Sequence, residues 1–200
     1  MMIWDERYAG DTYMFGKQPA QALVRHQSYL HQNGHCLAVA DGEGRNSVYL
    51  AEQGYKVTAM DASVVGIKKA QKLAQERQVS VQCEMADIYH YDWRSVSYDN
   101  VVAIFIQFAP PESWPQLFTG LQQALRPGGC LLLHGYTPGQ VEYGTGGPSN
   151  PAHLYTTDLL ESHFSDMDIR VNVAYEANLD EGPGHNGKSA LIDFVAFKKG

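Results

Sequence analysis

The feature that most constrains this 200-residue chain is an alternation of short apolar runs and longer amphipathic stretches that breaks off near the end. Cys36–Ala40, Lys56–Met60, Val79–Met85, Asn100–Phe105 and Cys130–Leu133 read as five strands, near-continuously apolar where they should be buried on both faces. Between them lie helical stretches at Arg45–Gln53, Ser63–Gln78 and Pro111–Leu125, with Gly54 and Arg126–Gly129 as stop signals. Ile67, Ala70, Leu73 and Ala74 share one face of the second helix, while Lys68, Lys69, Lys72 and Glu76 face solvent. Such alternation predicts an α/β chain with a parallel sheet and helices on both faces. After a helix at Thr156–His163, the strand-like segments Ile169–Ala177 and Ala190–Lys198 stand too close, across Gly and Pro, for a crossover helix. They predict an antiparallel hairpin, so the last strand runs against the rest.

Composition narrows the class. Forty-four per cent hydrophobic and 18% charged residues describe a folded globular chain. A net charge of −7 argues against a nucleic-acid partner, because phosphate neutralisation needs a basic surface. No apolar run reaches membrane-spanning length, and Met1–Gly10, with Asp5, Glu6 and Arg7, lacks a leader-like stretch. Cys36, Cys83 and Cys130 are odd in number, have no C-x-x-C pairing or metal-ligand spacing, and read as buried thiols in a reduced compartment. The expectation is a cytoplasmic protein without membrane contact or bound metal, of unspecified oligomeric state. The chain reads as one domain over 1–200, with a helical N-terminal extension over 1–34, helical at Gln18–His31.

The chemistry concentrates after the first strand. Leu37-Ala-Val-Ala-Asp-Gly-Glu-Gly-Arg-Asn46 runs from strand through Gly42-x-Gly44 into a helix, a bend that lets backbone approach a ligand. Asp61 closes the second strand, where a carboxylate can accept both ribose hydroxyls. The full G-x-G-x-x-G pattern fails, because Ser47 occupies the third glycine position. Asp87 follows the third strand, within reach of an adenine amino group, and Ala62, Ile88 and Ile104 could wall an adenosine.

With Arg126-Pro-Gly-Gly129 before the fifth strand, the chain resembles the class I S-adenosylmethionine-dependent methyltransferases from Cys36 to Lys198. The nearer resemblance is to small bacterial enzymes of the tellurite-resistance and thiopurine type. It rests on Trp4-Asp-Glu-Arg-Tyr8, Phe15-Gly16, Pro19, Gly42–Ala51, Val57–Asp61 and the Pro-Gly-Gly turn. The resemblance implies a Rossmann-like seven-stranded sheet with a reversed C-terminal strand. It also implies S-adenosylmethionine as cofactor, bound through Asp41, Gly42, Gly44, Asn46, Asp61, Ala62, Asp87, Ile88 and Ile104.

The chain departs from the family at Ala38, where an acidic residue is usual, and at Ala40, where a glycine is. Ala40 should then adopt a conformation open to alanine. Asp41 either replaces the missing carboxylate at the cofactor's amino group or caps the following helix near Asn46.

The expected reaction is methyl transfer to a small molecule, a thiol or metalloid anion. A non-catalytic S-adenosylmethionine-binding regulator, or an NAD(P)-dependent oxidoreductase on a Rossmann sheet, are the alternatives; the incomplete glycine fingerprint and terminal hairpin disfavour the second. His185 and His134 are the candidate catalytic residues, with His153 and His163 behind them. Tyr8, Tyr13, Phe15, Phe105, Phe108 and Tyr136, with His185, are the candidate walls of a substrate pocket. Arg45 either meets an anionic group or is simply an exposed first-turn arginine, the reading that needs no partner. Thr137–Pro151, with four glycines and three prolines in fifteen residues after the fifth strand, is the candidate lid.

Overall fold

A computed structural model describes residues 2–200. Its seven strands form one sheet in the order β3-β2-β1-β4-β5-β7-β6. They are β1 (His35–Val39), β2 (Lys56–Asp61), β3 (Gln82–Met85), β4 (Tyr98–Ile104), β5 (Leu125–Tyr136), β6 (Met167–Asp180) and β7 (Asn186–Lys198). Pairings from β3 through β5 are parallel, and β7 is antiparallel to both β5 and β6. The expected hairpin is therefore present, and β7 is the reversed strand.

Alternation along the strands explains why both faces are covered. Leu37, Val39, Val101, Ala103, Leu131 and Leu133 enter one core, beneath α5 (Trp114–Gln123) and α7 (Thr157–His163). Their neighbours Cys36, Val102, Ile104, Cys130 and Leu132 enter the other, with Leu23 of α2 (Gln21–His26) and Leu50 of α3 (Arg45–Glu52). Cys36 and Cys130 are fully buried, as expected of small hydrophobes, whereas Cys83 is only partly so.

Several boundaries move for local reasons. α4 (Val64–Glu76) starts at a Ser63 cap, whose hydroxyl accepts from the Gly66 N–H at 3.0 Å. Gln78 then turns left-handed at φ 58°, and Val79 docks back on the helix through its N–H to the Ala74 carbonyl. The third strand consequently begins at Gln82 and not at Val79. Gln18–His31 is helical only over Gln21–His26, followed by a 3-10 turn at Gln27–Tyr29. An earlier helix, α1 (Met2–Tyr8), lies over the N-terminus of α4, where Asp5 accepts from the Ser63 hydroxyl at 2.5 Å. Met1 of the expected extension lies outside the described residues. Thr137–Pro151 contains the short α6 (Gln140–Tyr143). Among the described residues no helix is long and apolar enough to cross a membrane.

Candidate functional site

A cavity of about 380 Å³ opens at the carboxyl ends of β1, β2 and β4, the crevice where open α/β sheets bind ligands. The sheet order divides its walls. Asp41 after β1, Asp61 closing β2 and Asp87 after β3 line one half. Phe105, Gln107 and Phe108 after β4, Tyr136 at the end of β5, and Gly184 and His185 in the β6–β7 turn line the other. Trp4, Arg7 and Tyr8 of α1 roof it.

The first half is built around the β1–α3 turn. Gly42, at φ 62°, donates its N–H to Asp61 Oδ2 at 2.8 Å, and Ser63 N–H donates to Asp61 Oδ1 at 2.8 Å. A Cβ at Gly42 would stand 2.7 Å from the Tyr8 hydroxyl, so only glycine lets the roof approach. Burial raises the Asp61 pKa above the usual carboxylate range. Asp41 accepts from the Ser47 N–H at 3.3 Å and from the Ser47 hydroxyl, which caps the first turn of α3. Its pKa is pushed up to about 7, by burial first and by the Asp61 charge as well.

Ala40 overturns the expectation of a conformation comfortable for alanine. It sits at φ 49°, the left-handed region, and bears the strain that glycine would avoid. Phe105, at φ 56°, bears similar strain opposite it, at the end of β4.

Of the expected cofactor residues, Asp41, Gly42, Asn46, Asp61, Ala62, Asp87, Ile88 and Ile104 all line the cavity. Gly44 does not. Its missing Cβ would fall 2.6 Å from Ala70 Cα, so it permits close packing of α3 on α4. Asn46 also ties down the N-terminal segment, accepting from the Ala20 N–H at 2.9 Å.

In the second half, Phe15, Phe105, Phe108, Tyr136 and His185 assemble as expected. The His185 ring lies 4.4 Å from Phe15 and 4.0 Å from Phe105, centroid to centroid. Burial in this ring cluster, with Arg45 adding repulsion, pushes its pKa down to about 2, so the imidazole is neutral. Its Nδ1 and the Tyr136 hydroxyl are buried without a partner among the described residues. Gly146 and Gly147 lie against Tyr136; a Cβ on Gly147 would stand 2.6 Å from its ring.

Tyr13 is absent from these walls: its hydroxyl donates to the Lys69 carbonyl at 3.0 Å, on the flank of α4. His134 is likewise displaced. It lies within β5, behind the Phe105 ring, with Nδ1 2.7 Å from Asp193 Oδ1. His153 lines the cavity; His163 packs edge-on against Phe118, remote from it.

Arg45 is buried, contrary to expectation, and pairs with Glu181 Oε2 at 2.7 Å. Glu181 Oε1 accepts from the Gln21 N–H at 2.9 Å, and Gly184 N–H donates to the Met14 carbonyl at 2.8 Å. The hairpin tip and N-terminal segment are thus locked together as a wall. Trp4, Arg7 and Gln107 are not among the expected site residues, whereas Gly146–Pro148 belongs to the expected lid segment Thr137–Pro151. The Trp4–Tyr8 motif contained the only signal for the first two, a Trp and a Tyr one helical turn apart.

The sheet order with reversed β7, the glycine turn and the carboxylate closing β2 define the fold of the class I S-adenosylmethionine-dependent methyltransferases, whose cofactor is S-adenosylmethionine. The residues present fit that cofactor: the Gly42 turn, the Asp61 carboxylate at the end of β2, and the further acidic groups Asp41 and Asp87 all line one cavity, a donor set suited to a cationic ligand that carries hydroxyls. A family model described as a methyltransferase domain matches residues 36–129. The tuberculostearic acid methyltransferase UfaA1 of Mycobacterium tuberculosis is 30% identical over 112 residues, 54% of this chain and 25% of that protein. The chain therefore spans about a quarter of the length of that curated relative. A structure solved in work on conversion of a disulfide bond into a thioacetal group during echinomycin biosynthesis superimposes with TM-score 0.79 and 20% identity. That match covers 99% of this chain and 92% of the other. TehB of Haemophilus influenzae superimposes with TM-score 0.71 and 17% identity, over 98% of this chain and 66% of TehB.

Proposed function

We propose that the chain is a single methyltransferase domain that transfers the methyl group of S-adenosylmethionine to a small thiol or metalloid anion. The observation that carries the acceptor class is the neutrality of His185 in a ring-lined half-cavity that holds no carboxylate. A base this weak is poorly matched to deprotonating an amine or alcohol near pH 7, whereas an already anionic nucleophile needs no base.

The cofactor, when bound, supplies an electrophilic methyl group activated by its sulfonium. Asp61 has free acceptor capacity beyond its two backbone donors and takes the ribose hydroxyls. Asp87, Ile88 and Ala62, which line the cavity, would hold the adenine, and Gly42 and Asn46 would hold the methionine portion. Asp41 and Asp61 are both held at raised pKa by burial, with the Asp61 charge adding at Asp41 and the Asp5 charge at Asp61, so a cationic ligand lowers the energy of their ionised forms. His185 and Tyr136 orient the acceptor through their unpartnered polar atoms. The Gly146–Pro148 portion of Thr137–Pro151 acts as the lid that keeps water from the nucleophile.

Transfer of labelled methyl groups to a panel of thiols, metalloid anions, phenols and amines tests this reading. Label on thiols or metalloid anions, with none on amines, is the expected result. Labelling confined to amines or phenols would reject the acceptor class, and no labelling with any acceptor would reject the activity.

A further inference from the structure

Arg7 is the second arginine of the cavity and differs from the first. Arg45 is buried and neutralised by Glu181 at 2.7 Å. Arg7 lies exposed at the end of α1, lines the cavity, and makes no ion pair among the described residues. Its guanidinium is held over the Trp4 ring, 4.5 Å from the centroid, so it is placed without being neutralised. Trp4 stacks on Tyr8 at 5.5 Å and meets Phe108 edge-on at 5.8 Å, and Phe108 is 38% exposed at the cavity.

The charges in the cavity are segregated. Its carboxylates follow β1, β2 and β3, whereas the half built from β4, β5 and the hairpin contributes none. The low His185 pKa comes from burial first, then from Arg45 and His134, with Arg7 adding a smaller repulsion from the roof. An unpaired cation beside the half-buried Trp4 and the exposed Phe108 rings, in a chain of net charge −7, concentrates anions where the rest of the surface repels them.

We propose that Arg7 is a specificity-determining residue that selects, within the thiol branch of the proposed acceptors, molecules with a flat, apolar body and an anionic group distinct from the nucleophile. The inference rests on the methyltransferase reading for calling that ligand an acceptor. The selectivity itself is a property of the cavity. The apolar body lies against Trp4 and Phe108, and the anion accepts from the guanidinium, a charge-assisted contact of the kind that fixes orientation.

The test uses unreactive probes, so that binding is read apart from transfer. 2-Naphthoate and 2-naphthamide share shape and differ in charge; each is titrated calorimetrically into protein saturated with S-adenosylhomocysteine. The naphthoate should bind the unaltered chain about tenfold more tightly than the amide. Arg7→Gln should erase that preference by weakening the naphthoate while leaving the amide within about twofold, and Arg7→Lys should restore part of it. Arg7 is exposed, so folding is not at stake, and an unchanged melting temperature checks it. Equal affinities in the unaltered protein, a preference that survives Arg7→Gln, or no binding of either probe would each overturn the proposal. Absence of heat with S-adenosylhomocysteine, alongside an intact naphthoate preference, would sink the methyltransferase reading and leave the charge selection standing.

Discussion

Glu181→Gln removes a charge and almost no volume from the most buried ion pair at the cavity. Arg45 Nη1 lies 2.7 Å from Glu181 Oε2, with the two side chains 6% and 3% exposed. Glutamine can still accept the Gln21 N–H through its carbonyl oxygen, so the loss is chiefly electrostatic. The Arg45 guanidinium would keep only its 3.2 Å bond to the Phe15 carbonyl. Leaving one member of a buried pair uncompensated costs about 3–5 kcal/mol. At roughly 2–4 °C per kcal/mol for a domain of this size, the melting temperature should fall by about 6–20 °C. Urea unfolding measures the free energy directly, provided the slope with denaturant is unchanged. Arg45→Met should cost a similar amount. The double variant Arg45→Met/Glu181→Gln should lose less than the two singles together, because no charge is stranded, the Gln21 N–H keeps its acceptor and only the Phe15 carbonyl loses its donor. Single losses under about 1 kcal/mol, or strictly additive losses in the double variant, would refute the view that this pair locks the hairpin tip to α3.

Glycine should act with opposite sign at two nearby alanines: Ala40→Gly, at φ 49°, should be neutral or slightly stabilising, whereas Ala38→Gly inside β1 should cost about 1 kcal/mol. Equal destabilisation in thermal melts would count against the strain at Ala40. Because the Asp41 pKa is raised to about 7 from 3.8, the folded chain gains from this group at pH below 3.8 and loses that gain as pH rises to about 7. Affinity for the cationic methyl donor should therefore strengthen between pH 5.5 and 7.5, and Asp41→Asn should flatten that profile; identical profiles would show that the carboxylate only caps α3. Asp61→Ala should weaken donor binding by about 10- to 100-fold in calorimetry, and a loss below about threefold would remove it from the ribose site.

Local pattern carried most of this fold. Apolar runs located β1, β2, β4 and β7, because strands buried on both faces must be continuous in hydrophobicity. Val79 was misplaced because an apolar residue that docks on a helix after a left-handed turn has the same composition as a strand residue. The carboxylate half of the cavity was legible for a similar reason: Asp41, Gly42, Asp61 and Asp87 each follow a strand end, and sequence position fixes them there. The acceptor half depends on segments distant in sequence, the α1 roof, the 146–148 loop and the hairpin tip. Arg45 read as exposed because its partner Glu181 lies 136 residues away. Tyr13 and His134 fell out of the site because neighbours that no motif reveals, the Lys69 carbonyl and Asp193, hold them elsewhere.

A crystal structure of the chain with S-adenosylhomocysteine tests the central claim most directly. The ribose hydroxyls should lie within hydrogen-bond distance of the Asp61 carboxylate, with the methionine portion against the Gly42 turn and the sulfur facing the half-cavity of Phe105, Tyr136 and His185. An adenosyl group placed elsewhere, or that cleft empty at saturating ligand, would contradict the assignment of this cavity as the methyl-donor site.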